Sequence, residues 1–295
     1  MRIGFIGLGA MGAPMALNLL EAGHAVCGFD VRAGAADALV AVGGSAAASA
    51  AEAAKGADLL WLMVVSGEQA ESVLFDAGAA AALAPGSIVV AACTQAPALA
   101  RRTAERLAAM GLAMLDAPVS GGVKGATAGA LTIMVSGDAA VLERARPVFD
   151  AVGQRIFDVG REAGLGSTAK MINQLLCGVH IAAAAEAMHV AERAGVSPAT
   201  MYEIISVSAG NSWMFGDRGP RMMQDDPPVA SAVDIFVKDL GIVLDQGKLM
   251  RQGLPLSAAA MQMFLAASGL GHGKADDSQV IRAYRALNGK PERPT

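Results

Sequence analysis

Arg2-Ile3-Gly4-Phe5-Ile6-Gly7-Leu8-Gly9-Ala10-Met11-Gly12 is the stretch that decides the fold. Arg2 to Ile6 reads as a short apolar strand, and Gly7, Gly9 and Gly12 make a G-x-G-x-x-G turn that opens a helix. In a chain with 35 glycines the triplet alone says little, and its surroundings give it weight. A helical stretch runs from Ala13 to Ala22, with Pro14 tolerated in its first turn and Gly23 placed to end it. A second strand, Ala25 to Phe29, leads into Asp30, 18 residues beyond Gly12. Such glycines let the backbone approach a pyrophosphate, and the helix start around Ala10, Met11 and Gly12 offers free N–H groups and a positive dipole end. An acidic residue at about that spacing accepts hydrogen bonds from an adenosine ribose. The expectation is a dinucleotide-binding unit.

The 295 residues suffice for two domains and a sizeable core. A net charge of −4 without a long Lys/Arg run argues against a nucleic-acid partner. The apolar stretches are broken by Gly, Glu or His before the ~20 residues of a membrane helix. The first strand starts at residue 2, so no leader is expected. Cys27, Cys93 and Cys177 are scattered and odd in number, as reduced thiols of a cytoplasmic protein would be. His24, His180, His189 and His272 show no ligand spacing, so no metal site is expected.

Through the first ~160 residues, short β-rich runs alternate with Ala-rich helical stretches, which implies a parallel sheet wrapped by helices. The expected strands are Ile3–Ile6, Ala25–Phe29, Leu59–Val65, Ser87–Ala91, Ala113–Asp116, Leu131–Ser136 and Arg155–Asp158. Helical patterns cover Ala35–Val42, Ser66–Leu74, Ala96–Met110 and Ala139–Val152. After Gly160 the strand signal nearly vanishes. Ser167 to Ala194 reads as one long helix with Gly178 as its one strong breaker, and further helices start near Pro198, Ser231 and Ser257. The expected division is a Rossmann unit over 1–162 and an all-helical unit over 163–295.

Four segments carry polar groups beyond what nucleotide binding needs. Ala92-Cys93-Thr94-Gln95-Ala96-Pro97 ends a predicted strand, so Thr94 can reach a nicotinamide, or Thr94 or Cys93 can cap the next helix. In Asp116-Ala117-Pro118-Val119-Ser120-Gly121-Gly122, the Ser120 hydroxyl and the N–H groups of Gly121 and Gly122 can converge on a carboxylate. A plain glycine-rich turn is the alternative. Lys170, Asn173 and Gln174, at i, i+3 and i+4, share one helix face. A desolvated lysine gives up its proton more readily, which suits proton transfer, whereas most lysines are solvated. In Val233-Asp234-Ile235-Phe236-Val237-Lys238-Asp239, Lys238 either projects into a cleft or pairs with Asp234 one turn back.

The four segments, in this order and over nearly the whole chain, resemble the β-hydroxyacid dehydrogenase family. The resemblance implies a Rossmann domain followed by a helical domain, with dimers or tetramers formed through the helical domains. It implies Gly7, Gly9 and Gly12 on the pyrophosphate, Asp30 on the adenosine ribose, and Met63, Val64 and Thr94 beside the nicotinamide. Ser120, Gly121 and Gly122 would hold a substrate carboxylate, Lys170 would transfer the proton, Asn173 would orient the substrate, and Lys238 would close on cofactor or substrate. Two departures stand out. Many members carry Asp-x-Ser-Thr where this chain has Ala91-Ala92-Cys93-Thr94, and a second Asn where it has Gln174. A nucleotide sensor without turnover would not need Ser120, Lys170 and Asn173 together, and an imine reductase would lack the lysine.

Asp30 favours NAD, because a carboxylate there repels a 2′-phosphate, while Arg32 two residues on can offset the repulsion and admit NADP. The implied activity is hydride transfer between that cofactor and a small hydroxy acid. Asn211, Ser212 and Gln174 suit a four-carbon sugar acid, where a methyl-bearing substrate would want apolar walls. The alternative is that Asn211 caps the next helix and Trp213 packs in the core.

Overall fold

The computed structural model describes residues 1–289. The chain divides into two compact units, Met1–Met171 and a second beginning at Ile172. The first holds one sheet of strands β1 (Arg2–Ile6), β2 (Ala25–Phe29), β3 (Ser45–Ala46), β4 (Leu59–Leu62), β5 (Ile88–Ala91), β6 (Ala113–Asp116), β7 (Val119–Ser120), β8 (Leu131–Ser136) and β9 (Gly153–Gly160). Their spatial order is β3-β2-β1-β4-β5-β6-β8-β7, with β9 beside β8. Strand β4 shows why helices cover both sheet faces. Leu59 and Trp61 enter one core and Leu60 and Leu62 the other, all four fully buried. A strand without a polar position must be covered on both sides. Trp61 stacks on Phe5 at 6.1 Å and meets the edge of Phe149 at 5.5 Å.

The sheet is only mostly parallel. Strand β8 runs antiparallel to β6 and β7 and parallel to β9. The connection into β8 explains the reversal: its helix, Gly122–Thr127, has six residues and rises about 9 Å, against about 20 Å for a six-residue strand. That is too short to carry the chain back to the sheet's starting edge. Strands β3 and β7, two residues each, are too brief to show an alternation. The short helices Ala50–Ala54 and Ala79–Ala82 lie in alanine runs that carry no period.

From Leu165 the described chain is mainly helical: Leu165–Ala194, Pro198–Ser206, Trp213–Met222, Val233–Met250, Pro255–Ala267 and Ile281–Asn288. The division between the units falls within the first of these. Gly178 does not break that helix. A Cβ there would lie 2.9 Å from Leu240, so the glycine marks a close helix contact. At 30 residues this helix is long and apolar enough by composition to cross a membrane, contrary to the reading of interrupted stretches. Ile181, Ala185 and Met188 nevertheless sit fully buried in the second unit's core with Phe236, Leu240 and Phe264. The Trp213–Met222 helix contains Gly216, Gly219 and Pro220, which hide its period. A bidentate pair from Arg218 Nε and Nη2 to Asp277, both at 2.8 Å, holds it in place.

Candidate active site

The strand order reverses between β1 and β4, and in open α/β sheets ligands bind at that switch, beyond the strands' carboxyl ends. Gly7 follows β1 with a φ of +96°, and a Cβ on it would lie 2.4 Å from the Met63 carbonyl oxygen. A Cβ on Gly12 would lie 1.8 Å from the Gly7 oxygen, so strand, turn and helix close on each other only without side chains. Gly9 differs. A Cβ there has no neighbour closer than Arg32 Nη2 at 4.0 Å, so the protein itself does not demand this glycine. The space it leaves lies ahead of the Gly12–Glu21 helix, which has no side-chain cap, and fits a pyrophosphate on the helix's free N–H groups. Met63 and Val64 follow β4 and Thr94 follows β5, all half-buried at the same sheet edge. Thr94 and Cys93 do not cap the next helix, because Pro97–Ala109 starts from Ala96 without a side-chain bond.

Asp30 follows β2 beside a cavity of about 510 Å³ whose lining includes Phe29, Arg32, Ala35 and Ala47. Its carboxylate accepts from Leu8 N–H at 2.8 Å, Arg32 N–H at 2.9 Å and Arg32 Nε at 3.0 Å. Burial pushes the carboxyl pKa up, but the Arg32 guanidinium and these N–H donors outweigh it and hold the group below the usual carboxylate range. Arg32 Nη2 also donates to the Leu8 carbonyl at 3.1 Å. The pair therefore fastens the end of β2 to the glycine turn.

Lys170 is 8% exposed, on the helix that starts at Leu165. That helix start is capped from the sheet. Asp116, the last residue of β6 and fully buried, accepts from Gly164 N–H at 2.9 Å, Ser167 N–H at 2.7 Å and Ser167 Oγ at 2.7 Å. Ser136 Oγ, at the end of β8, accepts from Gly166 N–H at 2.9 Å. A Cβ on Gly166 would lie 2.3 Å from the Asp116 carbonyl oxygen, so only glycine allows so close a seat. Burial raises the Asp116 pKa, and the donors from Ser167 and Gly164 oppose it without a cation among them. These ties fix the backbone one turn before Lys170. Sequence reading missed them, because Asp116 meets partners 48 and 51 residues away. Within the Asp116-to-Gly122 run, the sequence pattern points to Ser120 and the glycines and not to Asp116. Ser120 pairs with Thr132 across β7 and β8, and Gly121 and Gly122 follow with φ of +130° and +61°.

In the second unit Gln174 and Lys238 converge on Asp239, which is 2% exposed, and Asn173 joins them through Gln174. Lys238 Nζ and Gln174 Nε2 both reach its carboxylate at 2.5 Å. Asn173 Nδ2 donates to Gln174 Oε1 at 3.0 Å and to Cys177 Sγ at 3.4 Å. Lys238 thus pairs with its neighbour Asp239 rather than with Asp234, whose Oδ1 accepts from Ser268. The cap of the Trp213–Met222 helix is Ser212, which accepts from Phe215 N–H at 3.0 Å. Asn211 is therefore no cap; its Nδ2 donates to the Ser206 carbonyl at 2.9 Å. Trp213 is no core residue either, at 65% exposed. No group of three or more His, Cys, Asp or Glu suited to a metal occurs among the described residues.

Residues 2–160 match the family model of the NAD-binding domain of 6-phosphogluconate dehydrogenase, and residues 164–284 that of the NAD-binding domain of NADP-dependent 3-hydroxyisobutyrate dehydrogenase. The chain belongs to the 3-hydroxyisobutyrate dehydrogenase-like family. It is an NAD-dependent hydroxyacid dehydrogenase, with NADP also within the family's range. An L-threonate dehydrogenase of Cupriavidus necator is 49% identical over 99% of both chains. One of Escherichia coli is 45% identical over 97% of this chain and 95% of its own. A crystal structure of 3-hydroxyisobutyrate dehydrogenase from Salmonella typhimurium superposes with a TM-score of 0.91 at 47% identity, covering 96% of this chain and 99% of that one. The mostly parallel nucleotide-binding unit followed by a helical one is the architecture these relatives share.

Proposed function

We propose that this dehydrogenase oxidises L-threonate at C2 to the 2-oxo acid with NAD, residues 1–162 binding the cofactor and 163–295 serving substrate and assembly. The observation that carries the substrate is the near full-length likeness to proteins named L-threonate dehydrogenase. NAD supplies the hydride acceptor when bound. Gly7, Gly9, Ala10, Met11 and Gly12 hold its pyrophosphate, Asp30 and Arg32 its adenosine ribose, and Met63, Val64 and Thr94 its nicotinamide side, and Lys238 is a further cofactor residue. Lys170 accepts the C2 hydroxyl proton at Nζ, and its burial and its capped helix favour one fixed position for that atom. Ser120, Gly121 and Gly122 bind the carboxylate. Asn173 orients the substrate, and Gln174, Asn211 and Trp213 complete its surroundings.

Comparison of kcat/KM for L-threonate, glycerate and 3-hydroxyisobutyrate tests the reading. A tenfold preference for L-threonate, ~1.4 kcal/mol at the transition state, is expected. A tenfold preference for 3-hydroxyisobutyrate would transfer the substrate to that acid, and one for glycerate to the tartronate semialdehyde couple. The enzyme works in the cytoplasm as a homodimer or homotetramer, with no nucleic acid or membrane as partner. The apolar stripe Ile172, Leu176 and Val190, each at least half exposed on the long helix, supports a second copy. Sedimentation equilibrium reads the stoichiometry, and a monomer at micromolar concentration would refute it.

A further inference from the structure

The polar chain in the second unit has a direction, and Asp239 sets it. As an ion-paired carboxylate beside Lys238, Asp239 only accepts hydrogen bonds. Gln174 must therefore turn its amide nitrogen toward Asp239 Oδ2, which leaves its carbonyl Oε1 facing Asn173. Only the Asn173 nitrogen can satisfy that carbonyl, so Nδ2 is turned inward. Its two hydrogens go to Gln174 Oε1 and Cys177 Sγ. What Asn173 has left to offer a ligand is its carbonyl, Oδ1. An isolated asparagine can flip its amide and present either end at little cost, so a fixed end requires a chain of this kind.

We infer that Asp239 is a positioning residue that, through Gln174, locks the Asn173 amide so that its Oδ1 accepts a hydrogen bond from a substrate hydroxyl. This rests on the proposed substrate contact of Asn173 and deepens it. The side chain then selects a hydroxyl donor and disfavours an acceptor or a methyl group at that point, as a polyhydroxy acid requires and a methyl-bearing one does not. Burial makes the lock effective, because Asp239 and Gln174 are 2% and 8% exposed and water competes poorly for their bonds. It also gives Gln174 a task other than touching the substrate. The longer glutamine side chain spans from Asn173 to Asp239, and its two amide ends transmit the orientation.

A double-mutant cycle on the full-length enzyme tests this, using kcat/KM for whichever hydroxy acid of the panel the wild type oxidises best. Asp239→Asn should cost at least tenfold in the wild-type background and less than threefold in the Asn173→Ala background. Any change in the KM for NAD should be equal in the two backgrounds. Any effect of releasing Lys238 is common to both backgrounds and cancels in the coupling. Equal losses in the two backgrounds would overturn the inference, because a structural role for Asp239 would not depend on the Asn173 amide. Should Asp239→Asn fail to fold, Gln174→Met cuts the same chain while leaving the Asp239–Lys238 pair intact. It should show the same coupling to Asn173→Ala, and a kcat/KM within threefold of wild type would overturn the inference. Coupling without a preference for L-threonate would remove the substrate assignment alone. A preference for L-threonate without coupling would remove the Asp239 role alone.

Discussion

Asp30 and Asp116 stand at the carboxyl ends of two strands of one sheet, and burial pushes the pKa of both upward, yet they settle on opposite sides of the usual carboxylate value. At Asp30 the Arg32 guanidinium and two backbone N–H groups overcome burial. At Asp116 the donors from Gly164 and Ser167 are neutral, and burial prevails. The difference is one of task. Asp30 faces a cavity and remains a charge that can meet a ligand. Asp116 faces inward and caps the helix that carries Lys170. The lesson is that a strand-end carboxylate has to be judged by its donors, because its position along the strand does not distinguish a ligand contact from a structural cap.

The largest effect expected on the Asp116 side comes from the residue that its helix presents. Lys170→Ala should lower kcat by a factor of ~10²–10⁴, the usual loss when a positioned acid–base group is removed. NAD affinity, read by the fluorescence of the bound reduced cofactor, should stay within threefold. A variant turning over at half the wild-type rate would take the proton-transfer role from Lys170 and leave Asp116 with a structural task alone.

Next is Asp116 itself. Asp116→Ala leaves the N–H groups of Gly164 and Ser167 and the Ser167 hydroxyl buried without an acceptor, and should cost about 3 kcal/mol or more at ~1–3 kcal/mol each. Asp116→Asn keeps a carbonyl for the two N–H groups, and the Ser167 hydroxyl can turn to accept, so it should lie within ~1 kcal/mol of wild type. The pH dependence has a definite sign. The folded carboxyl holds its proton to a higher pH than the unfolded one, so stability falls as pH rises from the ordinary carboxylate value toward the raised one. Urea unfolding across that window should show the fall in wild type and a flatter curve in Asp116→Asn. A stability rising with pH there, and abolished by the substitution, would place Asp116 with Asp30.

How much of this was legible follows the same division. The glycine turn, Asp30 and the strands around them are read from residues close in sequence, whose spacing carries the geometry. The caps on the Lys170 helix join Asp116 and Ser136 to a helix start 30 to 51 residues later, and no local pattern encodes them. Asp239 stayed unread for the same reason, with Gln174 lying 65 residues from it. Lys170 was found because helical spacing and family likeness both pointed to it, while the partners that hold it required the fold. The Trp213–Met222 helix was obscured by its own Gly216, Gly219 and Pro220, a case where tertiary bonds override weak local propensity.

Smaller effects are expected from separating the two glycines on the Asp30 side. Gly12→Ala puts a methyl 1.8 Å from the Gly7 oxygen, and should destabilise the first unit by ~2 kcal/mol or more through backbone displacement. Gly9→Ala meets only Arg32 Nη2, at 4.0 Å and without overlap, so its melting temperature should stay near wild type. Its methyl occupies the space assigned to the pyrophosphate, and the Kd for NAD should rise about tenfold, ~1.4 kcal/mol. Equal thermal losses in the two variants would show that Gly9 serves folding as Gly12 does.

The smallest effect tests the cation that sets Asp30 apart. The Arg32 side chain is 62% exposed, so its pair with Asp30 is worth no more than ~1 kcal/mol after solvent screening. Removing it has two separable consequences. Arg32→Ala takes away the positive charge that would offset a 2′-phosphate, so the preference for NAD over NADP in kcat/KM should grow by about three- to tenfold, ~0.7–1.4 kcal/mol. It also releases Asp30 from its chief source of depression. The Asp30 pKa is lowered in the folded protein, so its contribution is present above the ordinary carboxylate value and lost as pH falls through the lowered one. In Arg32→Ala that loss should begin at a higher pH, seen as an earlier rise in the KM for NAD on acidification. An unchanged cofactor ratio with a shifted pH profile would confine Arg32 to holding Asp30. A changed ratio with an unshifted profile would make Arg32 a 2′-phosphate partner, and the contrast with Asp116 would then rest on the Leu8 and Arg32 backbone donors alone.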